Sequence, residues 1–385
     1  MNKELILLHL SLIDGIGPIT IKKILSENQS GFDLQDLYKL KYADFVALFG
    51  FSRSAAEKLV CGLQNKAVVE NEFKLIEKHE VYFVTVANEN YPKLLANIYA
   101  PPAVLYFKGA DILCHDKKIA FVGSRKAHRY GERCVEKLIP DLVDNDFVIV
   151  SGGAIGADSM AHRTTLRCAG KTVAVLGSGL LKPYPFSNRS MFDEIVQKGG
   201  AIVSSFPLMT EARPGNFPSR NRVIAGLSLG CVVIQAAKKS GACITAQYAL
   251  DEGRDVFAVP GDVDDELSYG CHSLIQQGAK LVGCSEDILI ELGLYAAKSY
   301  VSSEKKDGGV KSKKYNLQTV EKNVDIGQDN NSVESRILKC CKTPSSTEDI
   351  ATIANIEIVE LHEILFDLQI AGKIKQNHAG MFERV

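Results

Sequence analysis

The chain has 385 residues, with 45 Lys plus Arg against 46 Asp plus Glu and a formal net charge of −1. That balance excludes a protein that coats DNA or membranes indiscriminately, which needs a large positive excess, and leaves room for a local basic patch. A composition of 46% hydrophobic and 24% charged residues excludes chain-wide disorder, and at roughly 150 residues per domain the length allows two or three domains.

Residues 1–10 carry Glu4 and His9 and lack a small-residue cleavage site, so a signal peptide is not expected. No apolar run reaches the roughly 18 residues that span a bilayer, so no membrane partner is expected. The ten cysteines are scattered without a CxxC pair, which argues against zinc or any other metal site. Reduced thiols in a cytoplasmic protein are the expectation. Trp is absent, which leaves Phe and Tyr as stacking residues.

Residues 1–66 read as short helices. Leu12-Ile13-Asp14-Gly15-Ile16-Gly17-Pro18, followed by Ile21, Ile24 and Leu25 at helical spacing, has the pattern of a helix-hairpin-helix (SAM-like) module. Such a turn can hold a phosphate on its amides, or it can simply pack two helices. Residues 67–296 alternate short apolar runs with helical stretches. The expected strands are 81–86, 104–107, 119–122, 147–150, 172–176, 201–204, 232–235 and 256–259, with helices such as 131–143 and 158–167 between them. Continuous β-branched runs alternating with helices predict an α/β fold, a Rossmann-like, doubly wound and mainly parallel sheet covered on both faces. Residues 297–330, with Ser-Ser-Glu-Lys-Lys-Asp-Gly-Gly at 302–309, read as a flexible linker. Residues 331–385 are structured again. A helix at 333–340, a helix start at 345–349, an apolar stripe of Ile358, Leu361, Ile364, Leu365 and Leu368, and a hairpin across 373–385 make the plan of a winged helix.

In open parallel sheets, ligands bind at the carboxyl ends of the strands. Those ends are rich in Gly and Ser here: Gly123-Ser124-Arg125, Ser151-Gly152-Gly153, Gly177-Ser178-Gly179 and Ser240-Gly241. Such turns admit an anion to the backbone and to the next helix N-terminus. Basic and aromatic residues accompany them. Arg125, Lys126, Arg129 and Arg133 follow the first turn, Lys182 follows the third, and Lys238 and Lys239 precede Ser240. The stretch 213–222 contains Arg213, Gly215, Asn216, Phe217, Arg220, Asn221 and Arg222, has no acid, and is expected to precede a helix. A positive groove with an aromatic that stacks on a base suits single-stranded nucleic acid. The alternative is that Arg220 and Arg222 pair with internal carboxylates and Phe217 is core.

Enzyme motifs are missing. Ser151–Gly156 nearly matches a dinucleotide fingerprint, but no acid follows the next strand to hold a ribose, and no P-loop occurs, so no cofactor is expected. Ser151, Asp158 and His162 invite a triad reading, yet the nucleophile elbow is absent and no catalytic residue is assigned. Asp158 is expected to cap its helix and His162 to bond locally.

The motif series resembles one family. In order it runs Tyr91-Pro92, Pro101-Pro102 with Leu105-Tyr106, Val122-Gly123-Ser124-Arg125, Ser151-Gly152-Gly153-Ala154, Ala161-His162, Tyr184-Pro185 with Asn188, Phe217–Arg222, Ser240–Ala246 and Val259-Pro260-Gly261. It is similar to the DprA (Smf) family of DNA-processing proteins over about residues 91–283. The resemblance implies a non-enzymatic, cytoplasmic protein of natural transformation. Such a protein binds incoming single-stranded DNA, dimerises through the Rossmann-like domain and helps load the recombinase RecA. The residues implied for DNA are Arg125 and the 213–222 stretch.

The same domain also resembles nucleotide phosphoribohydrolases with a PGGxGTxxE motif. Tyr248 stands where their Glu acts, so the acid–base group is missing. The expected recognition helix of the winged module bears Glu357, Glu360, Glu363 and Asp367 and no cation. That predicts a protein-interaction or regulatory element, since these acids repel a phosphate backbone.

Overall fold

The computed structural model describes residues 2–29 and 31–294. In the C-terminal part it describes 333–341, 345, 347–354, 356, 361, 364–365, 368–369, 373–376 and 381–384. The chain divides into two units, Met1–Tyr300 and Val301–Val385. The predicted linker at 297–330 and the four acids Glu357, Glu360, Glu363 and Asp367 lie outside the described residues.

The first unit opens with five helices: α1 (Lys3–Ser11), α2 (Pro18–Gln29), α3 (Tyr42–Phe49), α4 (Arg53–Gln64) and α5 (Lys66–Lys78). Their ends follow local chemistry. Asn2 caps α1 by accepting the Leu5 N–H at 2.9 Å, and Ser52 caps α4 by accepting from Ala55 at 3.3 Å. The α1–α2 turn buries Ile13 and Ile16, so packing accounts for its apolar residues. These helices share one apolar core with the sheet: Leu7, Leu10, Ile24 and Phe45 belong to the same cluster as Val104, Tyr106 and Ile202.

The sheet has nine strands. In chain order the elements are β1 (Tyr82–Thr85), α6 (Lys93–Ala96), β2 (Val104–Gly109), β3 (Lys118–Val122), α7 (Arg129–Asp144), β4 (Val148–Ser151), α8 (Ala157–Arg167), β5 (Thr172–Val175), α9 (Arg189–Gln197), β6 (Ala201–Ser204), α10 (Asn216–Leu227), β7 (Gly230–Val233), α11 (Gly241–Asp251), β8 (Asp255–Ala258), α12 (Tyr269–Gln276), β9 (Lys280–Leu281) and α13 (Ser285–Glu291). The spatial order is β1-β2-β6-β5-β4-β3-β7-β8-β9. Every pair from β6 to β9 is parallel, while β2 pairs antiparallel with both β1 and β6. The predicted Rossmann-like, mainly parallel sheet is thus borne out. β3 to β7 are buried along their whole length, which is why their sequences read as continuous apolar runs. α7 buries Val135, Leu138, Ile139 and Leu142, the i, i+3, i+4, i+7 stripe of a helix lying on a sheet.

Two differences from the sequence reading have local causes. β7 starts two residues earlier than the expected 232–235, because Gly230 serves as a strand residue. A Cβ there would lie 2.7 Å from the Phe257 ring of β8, so the glycine makes room for that ring. β9 escaped prediction because two residues, Lys280 and Leu281, carry no periodic signal.

The second unit contains α14 (Val333–Cys340), α15 (Thr347–Ala354) and an antiparallel hairpin of β10 (Ile374–Gln376) and β11 (Phe382–Arg384). Its core includes Ile337, Ile350, Leu361, Leu365, Leu368, Ile374 and Phe382, so Leu361, Leu365 and Leu368 of the predicted stripe are buried and Ile364 partly so, while Ile358 lies outside the described residues.

Candidate nucleic-acid interface

The parallel strands begin in the middle of the sheet. From β3 the chain steps outward through β4, β5 and β6 on one side, then returns to lay β7, β8 and β9 on the other. The connections leaving β3 and β7 therefore part, and a crevice opens at the carboxyl ends of these two strands. Its volume is ≈ 490 Å³. The floor is the turn Gly123-Ser124-Arg125, with Lys239 and the first turn of α11 at Ser240-Gly241-Ala242. Ser124 N–H donates to Gln235 O at 2.6 Å, which ties the two floor segments together. Ser240 caps α11 by accepting the Ala242 N–H at 3.2 Å, so the positive end of that helix lies along the crevice. One wall is α10, with Phe217, Arg220 and Asn221.

The cations are of two kinds. Arg125 and Lys239 are exposed, and among the described residues neither has a carboxylate partner. Arg220 is only 5% exposed. Its Nη1 lies 3.8 Å from Asp158 Oδ2 and 3.4 Å from Val175 O, and among the described residues its Nε has no acceptor. A Cβ at Gly152 would collide with Arg220 Nη1, so this glycine is what admits the guanidinium. Burial pushes the Asp158 carboxyl up, opposed by the Arg220 charge and by the Ala154 N–H donated at 3.2 Å. Burial lowers Arg220, with Asp158 opposing. It stays charged because a guanidinium starts so far above neutrality. A buried cation with five N–H groups and so few protein acceptors is suited to an anion.

Phe217 joins the two kinds. The Arg125 guanidinium carbon stands 5.2 Å from its ring centre and that of Arg220 5.7 Å. The Tyr184 ring lies 6.1 Å away at 56°. Phe217 is half-buried, so it is not a core residue. An adjoining smaller cleft shares Arg125, Phe217 and Arg220 and adds Gly152, Gly177 and Tyr184. This edge offers cations for phosphates and an aromatic face for a base.

Of the predicted site residues, Gly123, Ser124, Arg125, Phe217, Arg220, Asn221, Ser240 and Gly241 come together on the crevice, and Gly152 on the adjoining cleft. Lys182, Arg213 and Gly215 are exposed and line neither. Asn216 donates its side-chain amide to Gly177 O at 3.1 Å and Glu211 O at 3.2 Å, which anchors the turn carrying Arg213. Three residues turn away. Ser151 is fully buried, and its hydroxyl donates to Phe121 O at 2.6 Å, joining β4 to β3. Gly153 is buried beside the Phe192 ring. Arg222 lies over the Tyr248 ring at 5.1 Å and lines a separate cleft with Ile16, Pro18 and Ile98. The reason is that 216–222 belongs to helix α10 instead of preceding one. Pro218 is tolerated in its first turn, where no N–H is needed, and two helical steps put Arg220 and Arg222 about 200° apart.

Ser151, Asp158 and His162 form no triad. Asp158 faces Arg220 and accepts from Ala154 rather than capping α8, whose cap is Gly156. His162 is fully buried with Nδ1 2.7 Å from Thr172 Oγ1, and burial takes its imidazole down to about 3. Lys239 and Thr245 line the crevice and Tyr184 the adjoining cleft, although none was among the predicted site residues. The Lys238-Lys239 pair and the Tyr184-Pro185 motif were the available signals. Glu266 also lines the crevice, and only the sheet order brings its loop there. Among the described residues, no His, Cys, Asp or Glu group could hold a metal ion, and no helix is long and apolar enough to cross a membrane.

A family model described as DNA recombination-mediator protein A matches residues 82–293. The chain belongs to the DNA recombination-mediator protein A family. The resemblance carried by the motif series is borne out. Protein Smf of Synechocystis sp. is 32% identical over 395 residues, covering 97% of each chain. DNA processing protein DprA of Streptococcus pneumoniae is 39% identical over 281 residues, 71% of this chain and 98% of that one. The X-ray structure of DNA processing protein A from Streptococcus pneumoniae matches this chain with a TM-score of 0.66 at 35% identity. The match covers 75% of this chain and 98% of that one. The region matched by the family model runs from β1 past α13 and so contains the whole crevice.

Proposed function

We propose that the crevice binds single-stranded DNA, with phosphates on Arg125, Lys239 and the α11 N-terminus and a base on Phe217. The observation that carries this reading is the half-buried Phe217 ring, with the Arg125 and Arg220 guanidinium carbons 5.2 and 5.7 Å from its centre. A duplex keeps its base faces stacked on one another, so an aromatic platform favours an unpaired strand. Membership of a recombination-mediator family supports DNA as the polymer. The protein acts without catalysis. On α11 the position of the hydrolase Glu is Tyr248, whose ring lies under Arg222. In the cell it protects incoming single strands during natural transformation, as a cytoplasmic homodimer formed through the Rossmann-like domain, and helps load RecA. The C-terminal module acts as a protein-interaction or regulatory element.

The test is a fluorescence-anisotropy titration with labelled oligo-dT and with a duplex of equal length at physiological salt. The expected result is preference for the single strand, weakening with salt by about 0.7 log units per log unit of salt for each phosphate held. Equal affinity for both polymers, or none for either, would overturn the reading. Release of free base from nucleoside monophosphates would restore the hydrolase.

A further inference from the structure

We propose that residues 182–189 form a second base-stacking subsite, which carries the DNA strand beyond the crevice. This rests on the single-strand reading above. The segment Lys182-Pro183-Tyr184-Pro185-Phe186-Ser187-Asn188-Arg189 holds two aromatics, two cations and no acid. Phe186 is 75% exposed, the highest value among the exposed large apolar side chains of the described residues, and Tyr184 is 47% exposed. Isolated exposed apolar residues are normal and carry nothing by themselves.

Three observations set this pair apart. It is continuous with the crevice: the Tyr184 ring lies 6.1 Å from that of Phe217, and Tyr184 shares a cleft with Arg125 and Arg220. It is also held in place. Asn188 is 4% exposed and donates its side-chain amide to Gly153 O and to Ser159 Oγ, both at 2.9 Å. The Asn188 N–H donates to Pro185 O at 3.1 Å and the Lys182 N–H to Gly179 O at 2.9 Å. A buried amide thus fixes a turn that displays two rings to solvent, which lowers the ordering cost of stacking on them. Finally, Lys182 and Arg189 are exposed, and neither pairs with a carboxylate of a described residue. Rings flanked by unpaired cations match a strand that alternates base and phosphate.

The chain has no Trp, so Phe186→Trp creates its sole indole. A base stacked on that indole quenches it. Oligo-dT of about four nucleotides, the shortest site size for such grooves, fills the crevice alone and should leave the emission unchanged. Longer oligo-dT should quench it at saturation. Phe186→Ala should weaken binding of the longer oligonucleotide by roughly five-fold or more while leaving the short one unaffected. Tight binding of long oligo-dT with no change in emission, together with wild-type affinity in Phe186→Ala, would overturn the second subsite and leave the crevice standing. Absence of binding at every length would overturn both.

Discussion

Two Gly- and Ser-rich turns leave the carboxyl ends of neighbouring strands and do opposite work. The turn after β3, Gly123-Ser124-Arg125, lines the crevice and exposes a guanidinium that pairs with no carboxylate among the described residues. The turn after β4, from Ser151 to Gly156, borders the clefts at Gly152 and Ala154 but spends its polar groups on inward bonds. Ser151 bonds Phe121 O, Ala154 N–H bonds Asp158, Ala154 O accepts from Ser159 at 2.5 Å, and Gly153 O accepts from Asn188. The two have similar compositions. Their strands differ in place: β3 borders the reversal of strand order and β4 lies inside the series. Position in the sheet, more than composition, decides whether a turn forms the floor of the crevice or is bonded into the core.

The largest expected effects fall on the Arg220–Asp158 pair, which belongs to both worlds. Arg220→Ala leaves a buried carboxylate unpaired and should cost about 3–5 kcal/mol of stability in urea unfolding, besides weakening DNA binding. A loss below about 1 kcal/mol would mean that the pair does not hold the β4 turn. On the ligand side, Phe217→Ala should weaken oligo-dT binding by about 1–3 kcal/mol with stability changed far less. An unchanged Kd would remove the stacking platform from the account.

The inward side carries a pH signature at His162. Its folded value of about 3 stands below the ordinary 6.5, so between those limits the unfolded chain binds the extra proton. This contribution to stability is fully present above pH 6.5 and is lost as pH falls toward 3. It should amount to about 2 kcal/mol between pH 7 and pH 5. Urea midpoints at the two pH values should converge in His162→Gln relative to wild type, and an equal pH dependence in both would contradict the assignment. The smallest effect is Ser151→Ala, which removes one buried hydroxyl bond and should cost about 1 kcal/mol in the same assay.

Much of this fold was legible. Strands buried on both faces advertise themselves as β-branched runs, and the helices between them carry a 3.6-residue period. The Gly-Ser turns could also be read as turns. Which of them line the crevice could not, because chain order does not reveal that β7 returns to lie beside β3. Arg220 and Arg222 looked equivalent for a different reason, because 213–222 reads as a segment that precedes a helix. Once 216–222 is helical, two residues' separation sends them to opposite sides. Glu266 was illegible because its loop reaches the crevice only through the placement of β8.

The contrast between the two turns is tested most directly by measuring oligo-dT affinity for Arg125→Ala and Ser151→Ala side by side. Arg125→Ala should lose about ten-fold in affinity, the effect of one charge-assisted contact, while Ser151→Ala binds as wild type. Loss of affinity in Ser151→Ala with Arg125→Ala unchanged would contradict it.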